Sequence, residues 1–592
     1  MGIRQRAQSI AQDLWATSKI LRDAPRLIPG GKWHAGRLLE LNAERIPKQP
    51  ALFCADERFT WREFNMEANR YAAFFLKQGL RRGDVVALLM DNRADFLFVE
   101  LGLNKIGAIS ALINTELAAE PLAHAINAAR PRRLVLGSEH VEKVRDIVPQ
   151  LALAKRDRGI FVVSGETGSG GPWPVIDAEV DVCSVANPRP VHWPNTGDPM
   201  SYLYTSGTTG LPKPAVITNQ RCMFASCAFA RVALECGPGD VIYSTLPLYH
   251  GSAQWGGLGA CLYSGATLAL RRRFSASRFW EDVRKLGATH FLYIGELCRY
   301  LLNQPPNELE RTHKLRMGVG NGLRPDIWHR FQERFAVPLM REFYGATEGN
   351  APLFNHEGRL GMVGTLRLGQ AILRCDLETG EVLRNSRGLC EHVQEGETGL
   401  LVGRIHPLAR FDGYLDERDT RKKTLHHVFR KGDSYFDSGD LLTLHADSWV
   451  SFADRVGDTY RYKGENVSAG EVAEVLNQAP GVLESIVYGV QVPGVDGRVG
   501  MASLNTAEQF DLKALAEHVR AHLASYQRPQ FVRLDAALNT TSTLKHKKTS
   551  YRTDGFDPAS VPVPLHFWTG SEYVPLDADL HRRLVKGELS LS

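Results

Sequence analysis

Between Tyr202 and Lys213 the chain reads Tyr-Leu-Tyr-Thr-Ser-Gly-Thr-Thr-Gly-Leu-Pro-Lys. An apolar strand, Met200–Tyr204, runs into a loop of Thr205, Ser206, Gly207, Thr208, Thr209 and Gly210. Glycine reaches positive φ without strain, so successive backbone N–H groups can converge on one anion. The hydroxyls of Thr205, Ser206, Thr208 and Thr209 add donors, and Lys213 adds positive charge. Such a loop suits a polyphosphate. It is not a Walker loop: only two residues separate Gly207 from Gly210, and Leu-Pro stands before Lys213.

Three further segments have side chains suited to the same kind of ligand. In Phe343-Tyr-Gly-Ala-Thr-Glu-Gly-Asn350, the face of Tyr344 can stack on a nucleobase. Thr347 can donate to a phosphate there, and Glu348 is a hard oxygen ligand suited to Mg²⁺. In Asp437-Ser-Gly-Asp440 the last carboxylate could accept both hydroxyls of a vicinal diol, with Arg455 fifteen residues later. Gly318-Val-Gly-Asn-Gly322 is expected to follow a strand, and its weight comes from lying between the other motifs.

The string Tyr204 to Lys213 resembles the signature of the adenylate-forming superfamily: acyl-CoA synthetases, peptide-synthetase adenylation domains and luciferases. That resemblance implies a large N-terminal domain, a small mobile C-terminal domain and an acyl-adenylate intermediate. It implies that the Thr205 hydroxyl joins Glu348 on the metal. Gly320, Asn321 and Gly322 would line one side of the nucleotide, and Tyr344, Gly345, Ala346 and Thr347 the other. Asp440 would hold the ribose, with Arg455 reaching the ribose or α-phosphate.

The segment from Asp454 to Ser468 is similar to the superfamily's interdomain hinge. Gly457 stands where many relatives have Lys or Asp, so Gly457 and Asp458 form the expected pivot. Arg461 and Gly464 are implied to face the site in the thioester-forming orientation. Asn539–Lys548 aligns with the segment carrying the lysine of adenylation, and that role is assigned to Lys545. Leu544 replaces the usual Gly there, so Lys547 and Lys548 stay open.

Ile294 to Leu301, Phe343 to Asn350 and Tyr462 to Val467 together resemble the fatty-acid-transport-protein and very-long-chain acyl-CoA synthetase branch, from about Phe64 to the C terminus. This implies a long-chain fatty acid–CoA ligase using ATP, Mg²⁺ and coenzyme A. Two alternatives stand beside it: a fatty acyl-AMP ligase loading a carrier protein, and a non-catalytic uptake protein. Leu246–Trp255 and Cys222–Leu234 are aromatic and aliphatic, without an acidic partner for an amino group, which fits a lipid acid. His250 and Trp255 are the candidate pocket residues; core packing is the competing role for each.

The rest of the chain must position these groups. With 592 residues it exceeds one hydrophobic core. Its 43% apolar and 23% charged content is that of a globular enzyme. A net charge of +5 excludes a dominant nucleic-acid footprint. Nine scattered cysteines without Cys-x-x-Cys point to a reducing compartment rather than to disulfides or zinc.

From about Lys32 to Asn350, apolar strands such as Val85–Met90, Gly159–Val163 and His290–Ile294 alternate with helical patterns such as Trp61–Gln78 and Ala94–Ile106. The spacing predicts α/β layers with largely parallel sheets. After Gly361, Ile372–Leu383 and Gly399–Ile405 suggest a β-barrel-like part, and a polar turn, Asp454–Asp458, follows the strand Trp449–Phe452. A small α+β unit then begins with helix Ser468–Gln478 and strand Val482–Val492.

The expected division is residues 1–30 as an amphipathic segment, 31–455 as the adenylation domain and 456–592 as the mobile C-terminal domain. Gly251–Leu270 reads as a buried helix and strand, and no membrane span is expected. Ile3, Ile10, Leu14 and Leu21 share a helical face that could dock on the protein or lie on a membrane. The expected location is cytoplasmic; a peripheral place at the inner membrane face, and a homodimer, stay open.

Overall fold

The computed structural model describes residues 18–20, 23–155, 159–165, 171–189, 193–206, 211–377, 379–407, 409–456, 458–462, 465–493, 495, 497–538 and 548–589. The first long helix shows how local sequence sets the layers. Thr60 caps Trp61–Lys77 in a reciprocal box with Glu63. Trp61, Phe64, Ala68, Tyr71, Ala72 and Phe75, spaced three and four apart, are buried. The next helix, Ala94–Lys105, crosses it so closely that a Cβ on Gly102 would lie 2.7 Å from the Ala68 carbonyl oxygen. The glycine sets that approach.

Such helices cover two mainly parallel sheets. Among the described residues, one sheet has six strands in the order Ile160–Val163, Arg133–Gly137, Val85–Leu89, Ile109–Leu112, β1 (Pro199–Ser206) and β2 (Pro212–Thr218). Only the β1–β2 hairpin is antiparallel. After β2 comes helix α1 (Asn219–Ala228). The second sheet has eight strands; its central members include β3 (His290–Ile294), β4 (Met317–Asn321) and β5 (Leu339–Tyr344), all parallel. Helix α2 (Gly295–Leu302) follows β3 directly. Strand interiors such as Val86–Leu89 and Phe291–Tyr293 are buried, as expected where both sheet faces are covered.

From Gly364 the pairing turns antiparallel, in a six-stranded sheet that includes Gln370–Leu373, Thr398–Arg404, β6 (Ser434–Leu444) and β7 (Trp449–Arg455). Within Ile372–Leu383, ladder pairing runs to Leu373 and the antiparallel bridge Cys375↔Val382 follows. One expectation needs correcting. The turn expected at Asp454–Asp458 starts later, because β7 continues to Arg455, whose partner across the sheet is Asp440.

A separate hydrophobic core runs from Tyr460 to Leu584. It holds α3 (Ala469–Leu476), capped by Ser468, and a five-stranded sheet led by β8 (Val482–Val490), with α4 (Lys548–Asp554) packed against β8. At the other end of the chain, residues 1–17, 21 and 22 lie outside the described residues, and with them the expected face of Ile3, Ile10, Leu14 and Leu21. Asp23 accepts from Arg26 and Arg231, while Ile20 and Leu27 pack on the main core. The described part of that segment therefore docks on its own protein. No helix among the described residues is long and apolar enough to cross a membrane.

The two cores meet at a carboxyl pair. Glu484 of β8 lies 3.6 Å from Arg299 of α2 and beside Glu296, and Arg324 donates to the Glu474 carbonyl at 3.3 Å. Burial, then the Glu296 carboxylate, push Glu484 up to about 7, against the offset from Arg299 and Arg324. A carboxyl raised on folding holds its proton more tightly when folded. Its contribution is full below the ordinary 4.5 and is lost as pH rises through about 7. Glu484→Gln should therefore flatten the fall in melting temperature across that window. Wild-type and variant profiles that run parallel would remove the assignment.

Candidate active site

The C-terminal ends of both parallel sheets, the antiparallel part and the small domain border one cleft of about 3210 Å³. Ligand sites in open α/β sheets are expected at such strand ends. β1 brings Thr205 there. Its register sets Thr205 opposite Lys213, and the Tyr204 hydroxyl fixes the strand by donating to the Ala125 carbonyl at 2.7 Å. Ser206 ends β1; Gly207, Thr208, Thr209 and Gly210 lie outside the described residues.

Thr205 donates to the Tyr414 hydroxyl at 3.4 Å, and Tyr414 donates to a Glu348 carboxylate oxygen at 2.8 Å. One phenol thus joins the two groups assigned to the metal. Burial, then the Glu348 carboxylate, raise the Tyr414 phenol above its ordinary value. The sequence reading missed Tyr414, because nothing in its neighbourhood marks it as facing a loop some two hundred residues earlier. Lys213 is ion-paired to Asp419 at 2.8 Å, a partner also contributed by the antiparallel part.

The glycine string departs from expectation. Gly318, Gly320 and Asn321 do not follow a strand; they are β4 itself. A Cβ on Gly318 would lie 2.5 Å from the Phe291 ring, and one on Gly320 would lie 2.2 Å from the Tyr293 carbonyl oxygen. The glycines answer to packing beside β3. Only Gly322 takes positive φ, at 78°, as the chain leaves the strand for the cleft. Glu342 secures that exit by accepting from the Gly322 and Leu323 amides at 2.8 and 3.0 Å and from the Tyr293 hydroxyl at 2.8 Å. Burial pushes Glu342 up to about 8.

β5 carries Tyr344 to the cleft, followed by Gly345, Ala346, Thr347 and Glu348 along its wall. The Tyr344 hydroxyl donates to Asp440 at 2.5 Å, and Arg455 lies 3.4 Å from the same carboxylate. Tyr344, Asp440 and Arg455 are therefore brought together. Across the cleft, Trp255 sits in a π-helical stretch, Ser252–Gly259, and Phe229 in another, Phe229–Ala233. Gly251–Leu270 reads from sequence as an ordinary helix and strand, since a π turn leaves little trace in periodicity. Gly259 allows the stretch to touch α1: its Cβ would lie 2.0 Å from the Ser226 hydroxyl. The Phe229 ring meets Phe343 edge-on at 4.8 Å, extending an apolar wall beside His250 and Trp255.

From the small domain, Lys548 and Arg552 of α4 reach the cleft and pair with Asp458 at 3.3 and 2.7 Å. Arg461, in the hairpin Tyr460–Tyr462 and Glu465–Val467, is exposed and is not on the cleft wall. Gly457, Gly464, Lys545 and Lys547 lie outside the described residues.

Residues 39–406 match the model of the AMP-binding enzyme family, and residues 471–545 match the AMP-binding enzyme C-terminal domain. The chain belongs to the AMP-binding enzyme family. As such an enzyme it is 40% identical over 566 residues to long-chain fatty acid transport protein 1 of Mus musculus, covering 93% of this chain and 87% of that one. It is 37% identical over 577 residues to the medium/long-chain-fatty-acid–CoA ligase FadD6 of Mycobacterium tuberculosis, covering 95% and 94%. Its fold matches the anthranilate CoA ligase AuaEII in complex with anthranoyl-AMP at a TM-score of 0.76, with 23% identity over 89% of this chain and 98% of that one.

For this AMP-binding enzyme the donor set around Glu348 is all oxygen: its own carboxylate, the Thr205 hydroxyl and the Tyr414 phenol. That chemistry suits a hard divalent cation with phosphate oxygens. Tyr414→Phe should keep the fold, since it deletes one hydroxyl, yet raise the Mg²⁺ concentration needed for half-maximal ATP turnover several-fold. A metal titration that overlays the wild type would show the bridge to be idle.

Proposed function

We propose that this enzyme is a long-chain fatty acid–CoA ligase of the AMP-forming type. The observation that carries the reading is the convergence, in one cleft, of Thr205 and Glu348 through Tyr414, of Asp440 with Arg455 and Tyr344, and of an apolar wall holding Trp255 and Phe229. The relatives named for long-chain fatty acids support the substrate class, and the wall of Phe229, Trp255 and Phe343 offers a lipid acid carbon surfaces.

Two half-reactions follow. The fatty carboxylate attacks the α-phosphorus of ATP, the bond to the bridging oxygen breaks, and pyrophosphate leaves with that electron pair. The barrier is largely electrostatic, because two anions must approach. Asp440 and Arg455 hold the ribose end, Asn321 and Gly322 line the base, and the loop Thr205 to Gly210 with Lys213 receives the phosphates. Mg²⁺, held by Glu348 with Thr205, neutralises phosphate charge when bound. Lys545 sits between carboxylate and α-phosphate in this reading. The thiolate of coenzyme A then attacks the acyl carbonyl and expels AMP. For that step the small domain pivots at Gly457 and Asp458, at the boundary between residues 31–455 and 456–592, bringing Arg461 and Gly464 round. The presence of Lys548 and Arg552 on the cleft, with Arg461 turned away, supports reading the described orientation as the one for adenylation.

The direct test is coenzyme-A-dependent AMP release across acids from acetate to very long chains, expected to peak with long chains. Activity confined to acetate or to an amino acid would overturn the substrate class. Lys545→Ala should lose roughly 10²–10³ in adenylation rate while still forming thioester from supplied acyl-AMP. Gly457→Pro should do the reverse, because proline removes the φ freedom a pivot needs. Equal loss of both steps in either variant would count against its assigned role.

A further inference from the structure

The Ala346–Gly349 turn is held by one side chain that no motif includes. Arg221, in the first turn of α1, sends its guanidinium to the carbonyls of Ala346 at 3.3 Å, Thr347 at 2.6 Å, Glu348 at 2.5 Å and Gly349. Its carbon also lies 6.0 Å from the centre of the Trp255 ring. The start of α1 is itself fixed: Thr218 accepts from the Arg221 amide at 3.3 Å and donates to Asp412 at 2.8 Å.

Four successive carbonyls turned toward one point would repel one another without a cation among them. A guanidinium supplies five N–H donors in a rigid planar fork and can serve several of them at once. An ammonium of the same charge is a compact donor and cannot span that row. Arg221 bonds the backbone of Glu348, while the carboxylate of Glu348 is bonded by Tyr414. The turn is thus clamped through its backbone carbonyls, leaving the Thr347 and Glu348 side chains free of the guanidinium. Arg221 also lies between this turn and the apolar wall through Trp255, with a ring face that favours a cation.

We propose that Arg221 is a positioning residue for adenylation: it fixes the Ala346–Gly349 turn, so that Thr347 and the Glu348 carboxylate are in place before ATP and metal arrive. This rests on the function proposed above. Because it acts through the turn, its loss should alter metal dependence and turnover together, which a role confined to packing would not do. A 1 Å misplacement of such groups costs about 10²-fold in rate.

The test compares full-length wild type with Arg221→Lys and Arg221→Gln. It measures fatty-acid-dependent exchange of labelled pyrophosphate into ATP against Mg²⁺ concentration, thioester formation from supplied acyl-AMP, and circular dichroism melting. The expected result is folded variants with exchange down by about 10²-fold, half-saturating Mg²⁺ raised several-fold and the thioester step little changed, with lysine recovering only part of the loss. Variants that exchange with the wild-type Mg²⁺ profile would overturn the inference alone. Variants that no longer fold would also overturn it, since the guanidinium would then be holding the domain rather than the turn. A wild type that exchanges with no fatty acid would remove the proposed function, and this inference with it.

Discussion

A tyrosine hydroxyl lies between the two oxygens on which the proposed chemistry turns. Thr205 comes from the edge hairpin of one parallel sheet, Glu348 from the turn after a strand of the other, and Tyr414 from the antiparallel part that follows. The three are distant in sequence, so their meeting depends on every layer between them holding its register. Long-range contacts of this kind require well-packed interiors, and the strands that carry Thr205 and Glu348 are anchored accordingly. Tyr204 bonds Ala125, and Glu342 ties the exit of β4.

Much of this arrangement was legible in the sequence. Alternating apolar strands and amphipathic helices marked the α/β layers, and His290–Ile294 forms a strand with the bounds its residues suggest. The motif residues Thr205, Lys213, Tyr344, Glu348, Asp440 and Arg455 border one cleft. Local composition could not reveal side chains whose roles arise only from tertiary contact. Tyr414 and Arg221 belong to no phosphate or metal motif; Tyr414 meets Thr205 across 209 residues, and Arg221 meets the Glu348 carbonyl across 127. The glycines of Gly318–Gly322 misled for a related reason. Glycine signals both loops and tight packing, and here the Phe291 and Tyr293 neighbours decide for packing. The polar run Asp454-Arg455 looked like a turn because a strand edge facing a polar cleft carries the same residues.

The small domain adds a second constraint. Among the described residues its hydrophobic core is separate from those of the large one, and polar contacts join the two: Arg299 with Glu484, Arg324 with the Glu474 carbonyl, and the Asp454 carboxylate accepting from Ser468 and Gly470. A polar interface can be remade in another orientation at less cost than an apolar one, which is what a domain that turns between two half-reactions requires. The proposed pivot lies just past β7, whose last residue still contacts Asp440. A rotation there would start from the ribose-binding edge of the site.

The central claim is that Thr205 and Glu348 belong to one nucleotide and metal site. The most direct measurement is a crystal structure with ATP and magnesium. The account predicts the triphosphate against the β1–β2 hairpin, the ribose at Asp440, and a metal ion shared by the Glu348 carboxylate and phosphate oxygens beside Thr205. ATP bound elsewhere, or a metal ion with no contact to Glu348, would contradict it.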